Sequence, residues 1–296
     1  MGFSVTRAEA ATYLYGASQY NIFVQNSLTF GPDSVGAVAA GGNMTLGSSV
    51  SVATGYGAGF PSYSVVAGGT LACPSGSGCI ADGNIWAHAE TGTIYNNTAG
   101  GTNTIGGTDP VYFSDNFTEL KGLSAWLTGR ATTAGDGCTY AYTVLTCTAS
   151  GSGMNVINIG ANAAYLSTAN LVFNIAAGAS LVINVDGSVS NILGGSSHGF
   201  SATDEQKLLF NYSSNTPLLT LGGTVDGSLL APWSNVTAAG GITGEFTGNL
   251  IAQSYTGTGV EFENNLFNGE LPEPGTFAML GGGALLLWAA RRRARR

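Results

Sequence analysis

Apolar residues fall in short runs cut by glycine-rich turns from Leu28 to Thr98, and again beyond Gly153. In the first stretch Val35-Gly-Ala-Val-Ala-Ala40 stops at Gly41-Gly42-Asn43, Tyr63-Ser-Val-Val-Ala67 stops at Gly68-Gly69, and the run from Ile80 to Trp86 is broken by Asp82-Gly83. In the second, Asn155–Ile159, Asn170–Ile175, Ser180–Val185, Lys207–Tyr212 and Pro217–Leu221 repeat the pattern. Runs this short, bounded by small turn residues, predict strands and an all-β class. Val185-Asp-Gly-Ser188 is echoed by Val225-Asp-Gly-Ser228, and several strands carry an asparagine at a similar place. Amides at matching positions stack between successive rungs of a coil. The expected body is a single-layered β-solenoid, β-helix-like, with polar outer strand faces.

Between Asp109 and Arg130 the period becomes helical. Phe113, Phe117, Leu120, Ser124 and Leu127 fall on one face, broadened by Leu123 and Trp126. Asp109 before Pro110 offers an N-cap and a first-turn proline. The polar face is not basic, so this single α-helix is expected to flank the β body rather than lie on a membrane.

Composition narrows the setting. Glycine supplies 46 of 296 residues, about twice its usual share, while charged residues are only 9%. Hydrophobic residues still reach 44%, enough to bury a core, so the chain is expected to fold. Five of the nine basic residues are Arg291, Arg292, Arg293, Arg295 and Arg296, which leaves four basic against 17 acidic residues, a net of −13, in everything before them. An acidic body without a basic patch repels phosphate backbones, which argues against nucleic acid as a partner.

The four cysteines form two close pairs, Cys73 with Cys79 and Cys138 with Cys147. Two local disulfides in an oxidising compartment are preferred over free thiols. Neither spacing is a C-x-x-C knuckle and no histidine adjoins either pair, so a metal site is disfavoured. The second pair brackets Thr139 to Thr146, a segment suited to a hairpin clipped at its ends.

The final segment reads Leu271-Pro-Glu-Pro-Gly-Thr-Phe-Ala-Met-Leu, then Gly281 to Ala290 without a charge, then the arginines. A C-terminal transmembrane helix with an arginine stop at the cytoplasmic side is the expectation. Pro272, Glu273 and Pro274 ahead of a short apolar stretch and terminal arginines resemble the PEP-CTERM sorting signal, also labelled an ice-binding protein C-terminal domain. The resemblance implies processing by an exosortase-type membrane protease at Pro272-Glu273-Pro274, with the stop-transfer role falling to Arg291, Arg292, Arg293, Arg295 and Arg296. Met1 to Tyr20 has Arg7 and Ala8-Glu-Ala10 but no apolar run of signal-peptide length. The true start is therefore expected upstream.

Across residues 17–268 the chain resembles the choice-of-anchor A domain of exported bacterial proteins. The likeness lies in the order of Tyr20-Asn-Ile-Phe-Val24, Val35 to Asn43, Leu120-Lys-Gly-Leu-Ser124, Leu181 to Gly187, Leu209-Phe-Asn-Tyr212, Gly227 to Pro232 and Gly248-Asn-Leu-Ile-Ala252. Ala37 departs from it where such domains often carry arginine. The domain plan is then 1–16 as an N-terminal segment standing where a signal-peptide remnant would, 17–268 as the β domain, and 269–296 as the sorting tail.

Catalytic equipment is sparse. Gly195-Ser-Ser-His-Gly199 fits the nucleophile-elbow pattern, but no helical pattern follows it and His88 is the only other histidine. Asp82, Asp136, Asp186 and Asp226 each precede glycine and read as Asx-turns rather than calcium ligands. Asp204-Glu205 and Glu261 with Glu263 are the carboxylate pairs available to a glycosidase. No catalytic residue, cofactor or metal site is expected. The reading is an exported cell-surface or extracellular-matrix protein, structural or adhesive, first anchored in the membrane and then released or displayed. Its expected partners are the exosortase-type protease, the membrane through the C-terminal helix, and extracellular polysaccharide. A secreted carbohydrate-active enzyme and an ice-binding protein, which would need a flat array of evenly spaced hydroxyls, are the alternatives.

Overall fold

The computed structural model describes residues 14–271, apart from 55–56, 58–59, 75–77, 99–100, 195, 198–204 and 241–242. Ten strands make its main stack: β1 (Ile22–Val24), β2 (Val38–Ala40), β3 (Val65–Ala72), β4 (Ile85–Thr91), β5 (Asn103–Ile105), β6 (Gly153–Asn158), β7 (Ala179–Val185), β8 (Leu208–Tyr212), β9 (Ser228–Ala238) and β10 (Leu250–Gly257). All neighbours are parallel, in the order β5-β4-β3-β2-β1-β10-β9-β8-β7-β6. The first half of the chain thus stacks away from β1 in one direction. The second half starts at the far end and returns to it. At the seam Ile22 sits beside both Val38 and Leu250, so both edges of the first strand are paired.

Long strands turn corners. β3 shifts register between Ala67 and Thr70 at Gly68-Gly69, and β9 between Ala231 and Asn235 at Pro232, where a missing N–H makes a bulge natural. Beyond these corners β3 pairs with Met44–Leu46 and β9 with the second half of β10, and Leu28–Phe30 lies between Met44–Leu46 and β10. Pairings through β1, β2, β3, 44–46, 28–30 and β10 close into a ring of six parallel strands. A third side is built from Ser51–Val52, Cys79–Ala81 and Ile94–Asn96 together with Val225–Asp226, Gly244–Thr247 and Val260–Glu263, joined through Ser34.

This corrects the expected architecture. The strands do not stack in chain order as a β-solenoid with successive coils would, and their pairings close on themselves. The body is not single-layered either. Ile22, Val24, Leu28, Val38, Met44 and Leu46 point into an inner core, while Phe23, Ala39, Val66, Val182, Leu209, Leu230 and Ile251 point outward into a second apolar layer. Strands buried on both faces carry continuous apolar runs. No helix among the described residues is long and apolar enough to cross a membrane. The expected membrane helix, at 275–290 of the 269–296 tail, lies outside the described residues.

The second layer is covered by α1 (Phe113–Thr128), whose Phe113, Phe117, Leu120, Leu123, Ser124 and Leu127 are buried. Phe23 stacks on Phe113 at 5.2 Å and on Phe117 at 5.5 Å. Gly41 lets the helix approach, since a Cβ there would stand 2.9 Å from the Phe113 ring. Asp109 is not the N-cap. Its Oδ1 accepts the Val111 N–H at 2.9 Å in an Asx-turn, and the helix begins only at Phe113.

The recurring asparagines form a ladder under the helix. Asn184 donates to Asn158 Oδ1 (2.9 Å) and to the Leu127 carbonyl (2.7 Å). Asn211 donates to Asn184 Oδ1 (2.8 Å) and accepts the Ser124 hydroxyl (2.6 Å). Helix and stack are therefore pinned by polar contacts as well as apolar ones. At the β6 end, Thr132 and Thr133 cap the free edge, with Thr133 N–H donating to the Val156 carbonyl at 2.8 Å. A hairpin, Gly137–Ala141 with Val144–Ala149, extends this end.

Candidate ligand-binding face

One side of the body is long and, among the described residues, uncovered, and the strand positions that face outward there carry no charge. Register brings Thr220 beside Thr237, Thr237 beside Thr256, Thr256 beside Thr29 and Thr29 beside Thr45. The row continues to Ala72 and Thr91 at one end and to Ile192 at the other. Neighbouring strands lie about 4.8 Å apart, so five threonine side chains repeat at that interval. Alternate residues face opposite ways. Leu28, Met44, Leu71, Leu219, Val236 and Tyr255, one position before each row member, are buried and hold the face flat.

Two residues back along each strand, about 6.7 Å away, runs a second row: Leu218, Asn235, Ser254, Ser27, Asn43, Thr70 and Ala89. It is tied together from within. Ser254 donates to Asn235 Oδ1 at 2.6 Å, and Asn43 Oδ1 accepts the Thr70 N–H at 2.9 Å. The threonine hydroxyls at 29, 45, 220, 237 and 256 have no hydrogen-bond partner among the described residues, and they are exposed or half-exposed. A β-branched side chain is stiff at χ1, so these hydroxyls and methyls are held in a fixed lattice.

The other sides differ. The first is covered by α1. The third carries carboxylates, with Glu245 directly beside Glu261 and Glu263 on the same pair of strands. Partial burial and then the charges of Glu261 and Glu245 raise the Glu263 carboxyl above its ordinary range.

The residues singled out in the sequence are scattered rather than gathered. Cys73 is bonded to Cys79, and Cys138 to Cys147. Asp186 Oδ1 accepts from Ser188 N–H (2.9 Å) and Asn215 (2.6 Å), contacts with Ser188 and Asn215 that lower its pKa. Asp136 Oδ1 accepts from the Ser150 N–H and hydroxyl. Both are turn-forming carboxylates, and no metal-binding group occurs among the described residues. Ser196–Ser197 is a short strand beside Asn170–Leu171, and the rest of the elbow-like stretch, 195 and 198–199, lies outside the described residues. Glu205 accepts from Asn265 at 3.0 Å, with Asp204 outside the described residues. Pro272, Glu273, Pro274, Arg291, Arg292, Arg293, Arg295 and Arg296 also lie outside them. The threonine row was not identified from the sequence, which gave only abundant small polar residues on presumed outer faces.

No curated protein matches the chain by sequence. Among solved structures, it resembles a glycosylated ice-binding protein from an Arctic yeast, with 16% identity and a TM-score of 0.36, over 90% of this chain and 98% of that one. It also resembles an ice-binding protein from the Antarctic ascomycete Antarctomyces psychrotrophicus, with 13% identity and a TM-score of 0.32, over 88% and 98%. Superpositions this loose decide neither fold detail nor function. The family described as "Putative Ice-binding-like adhesive domain" matches residues 13–264, in general agreement with the choice-of-anchor A resemblance, and the chain belongs to that family.

Proposed function

We propose that this protein is a non-catalytic extracellular or surface adhesive module that docks through the threonine face onto ordered water, with ice as its ligand. The carrying observation is the in-register row Thr220, Thr237, Thr256, Thr29 and Thr45. Fixed hydroxyls about 4.8 Å apart along the threonine row, with the second, mixed polar row about 6.7 Å away, order the water above them, and the threonine methyls exclude disordered solvent. Absence of charge on both rows supports the reading, because a strongly hydrated ion would break such a layer. Adhesion by this route needs no bond-making group.

The test is partition of the purified chain into a slowly growing ice hemisphere, with Thr237→Tyr as the probe variant. Thr237 is exposed, so the substitution leaves stability within about 0.5 kcal/mol. The wild type enters the ice and the variant is excluded from it. Equal partition of the two, or exclusion of the wild type, refutes the assignment.

The sorting role belongs to the same proposal. Pro272-Glu273-Pro274 is the recognition element for an exosortase-type protease, and its two prolines disfavour a helix across the motif. In a native host, Glu273→Ala leaves the C-terminus uncut by mass spectrometry. Wild-type processing of that variant removes the role.

A further inference from the structure

On the helix side of the body, away from the threonine rows, an open cleft of about 410 Å³ lies between the start of α1 and the loop before β3. We propose that this cleft is a saccharide subsite taking a neutral pyranose unit of an extracellular polysaccharide. Its volume falls in the range of small-molecule sites. Tyr20, Tyr63 and Tyr112 line it, with Gln19 and Asn116 among the polar members. Aromatic faces stack on the apolar C–H faces of a pyranose, while phenols and amides bind its ring hydroxyls.

Tyr112 is 69% exposed at the mouth, a large ring left in water next to a pocket. Gln19 is exposed and has no hydrogen-bond partner among the described residues, leaving its amide for a ligand. The wall is preorganised. Asn116 Oδ1 accepts the Gly16 N–H at 2.8 Å while its Nδ2 donates to the Tyr112 carbonyl at 2.9 Å. Tyr15, beside them, sits at φ 52°, a costly conformation for a tyrosine that marks an imposed shape.

Charge selects among sugars. Burial and then the charge of Asp109 raise the Tyr20 phenol, and burial and then Glu119 raise that of Tyr15, so carboxylates border the cleft. Among the described residues no lysine or arginine lines it. Lys121 is engaged with Gln25 at 2.9 Å, and Arg130 stacks over Trp126 at the far end of the helix. Uronic-acid and sulfated polymers are therefore repelled, and neutral ones accepted.

The experiment is isothermal titration of the full chain with maltohexaose, cellohexaose and chitohexaose, and with hexagalacturonate as the acidic comparator. At least one neutral hexasaccharide binds, with Kd on the order of 1 mM or tighter. Tyr112→Ala weakens it at least five-fold with an unchanged thermal midpoint, since the ring is mostly in solvent. Thr237→Tyr binds sugar as the wild type does, which separates this site from the ice face. Lack of binding by all three neutral probes, undiminished binding by Tyr112→Ala, or preference for hexagalacturonate overturns the assignment.

Discussion

Truncating Asn211 to alanine tests whether the asparagine ladder holds the helix to the stack. The side chain is fully buried and makes four contacts: it accepts from the Ser124 hydroxyl (2.6 Å) and donates to the Ser124 carbonyl (3.1 Å), Thr128 Oγ1 (3.2 Å) and Asn184 Oδ1 (2.8 Å). Alanine leaves Asn184 Oδ1 without its donor and the Ser124 hydroxyl with only the longer contact to the Tyr212 carbonyl, at 3.3 Å. Each buried group so orphaned costs about 1–3 kcal/mol, so the variant should lose about 3–4 kcal/mol. Asn158→Ala is the internal control. That residue is exposed at the ladder's end, and without it Asn184 Nδ2 keeps the Leu127 carbonyl. Its cost should stay near 1 kcal/mol. Urea unfolding followed by tryptophan fluorescence, with a common m-value, measures both. Asn211→Asp adds a pH signature. A buried carboxylate facing the oxygens of Ser124 and Asn184 has a raised folded pKa, so stability returns as pH falls and the acid becomes a donor. An Asn211→Ala loss below about 1 kcal/mol, or equal to that of Asn158→Ala, would refute the ladder's role.

Replacing Cys138 and Cys147 together by serine opens a short closed loop and should cost about 2–3 kcal/mol by thermal unfolding, less where the paired strands already hold the hairpin; no loss would show that pairing alone holds it. Alkali should destabilise the fold beyond about pH 10. Burial is the first cause that raises the phenols of Tyr20, Tyr212 and Tyr255, and pushes Tyr15 up to about 12. Between the ordinary tyrosine pKa and these values the unfolded chain binds fewer protons than the folded one, so stability falls as pH rises; a flat profile to pH 11.5 would contradict the burial of these hydroxyls. Glu263→Gln should raise stability at pH 7 modestly, because a raised carboxyl pKa means the charge is disfavoured in the fold, and that gain should vanish below the ordinary glutamate range.

Some of this was legible along the chain, for identifiable reasons. The stripe from Phe113 to Leu127 is set by local periodicity, and its burial needs only one apolar partner surface. Asparagines at 158, 184 and 211 lie at matching positions near the ends of neighbouring strands, and parallel register places their amides in line. The paired cysteines depend on local spacing alone. Connectivity was not legible, because apolar runs such as Leu181–Ile183 describe a strand buried on both faces without saying which strand lies beside it.

The threonine row shows why the candidate site stayed hidden. Its members are ordered 220, 237, 256, 29, 45 in space, so its centre is the seam where the end of the β domain meets its beginning. No repeat length read along the sequence can pair Thr256 with Thr29. What joins them is the burial of polar groups at the seam itself. Asn249 donates to the Tyr20 carbonyl (2.8 Å) and the Ala17 carbonyl (3.1 Å) while accepting the Phe267 N–H (2.8 Å), and Asn21 donates to the Gly248 carbonyl (3.0 Å). A continuous face of five threonines exists only when the first and last strands of the β domain are docked, so the same contacts that close the fold also assemble the proposed ligand surface.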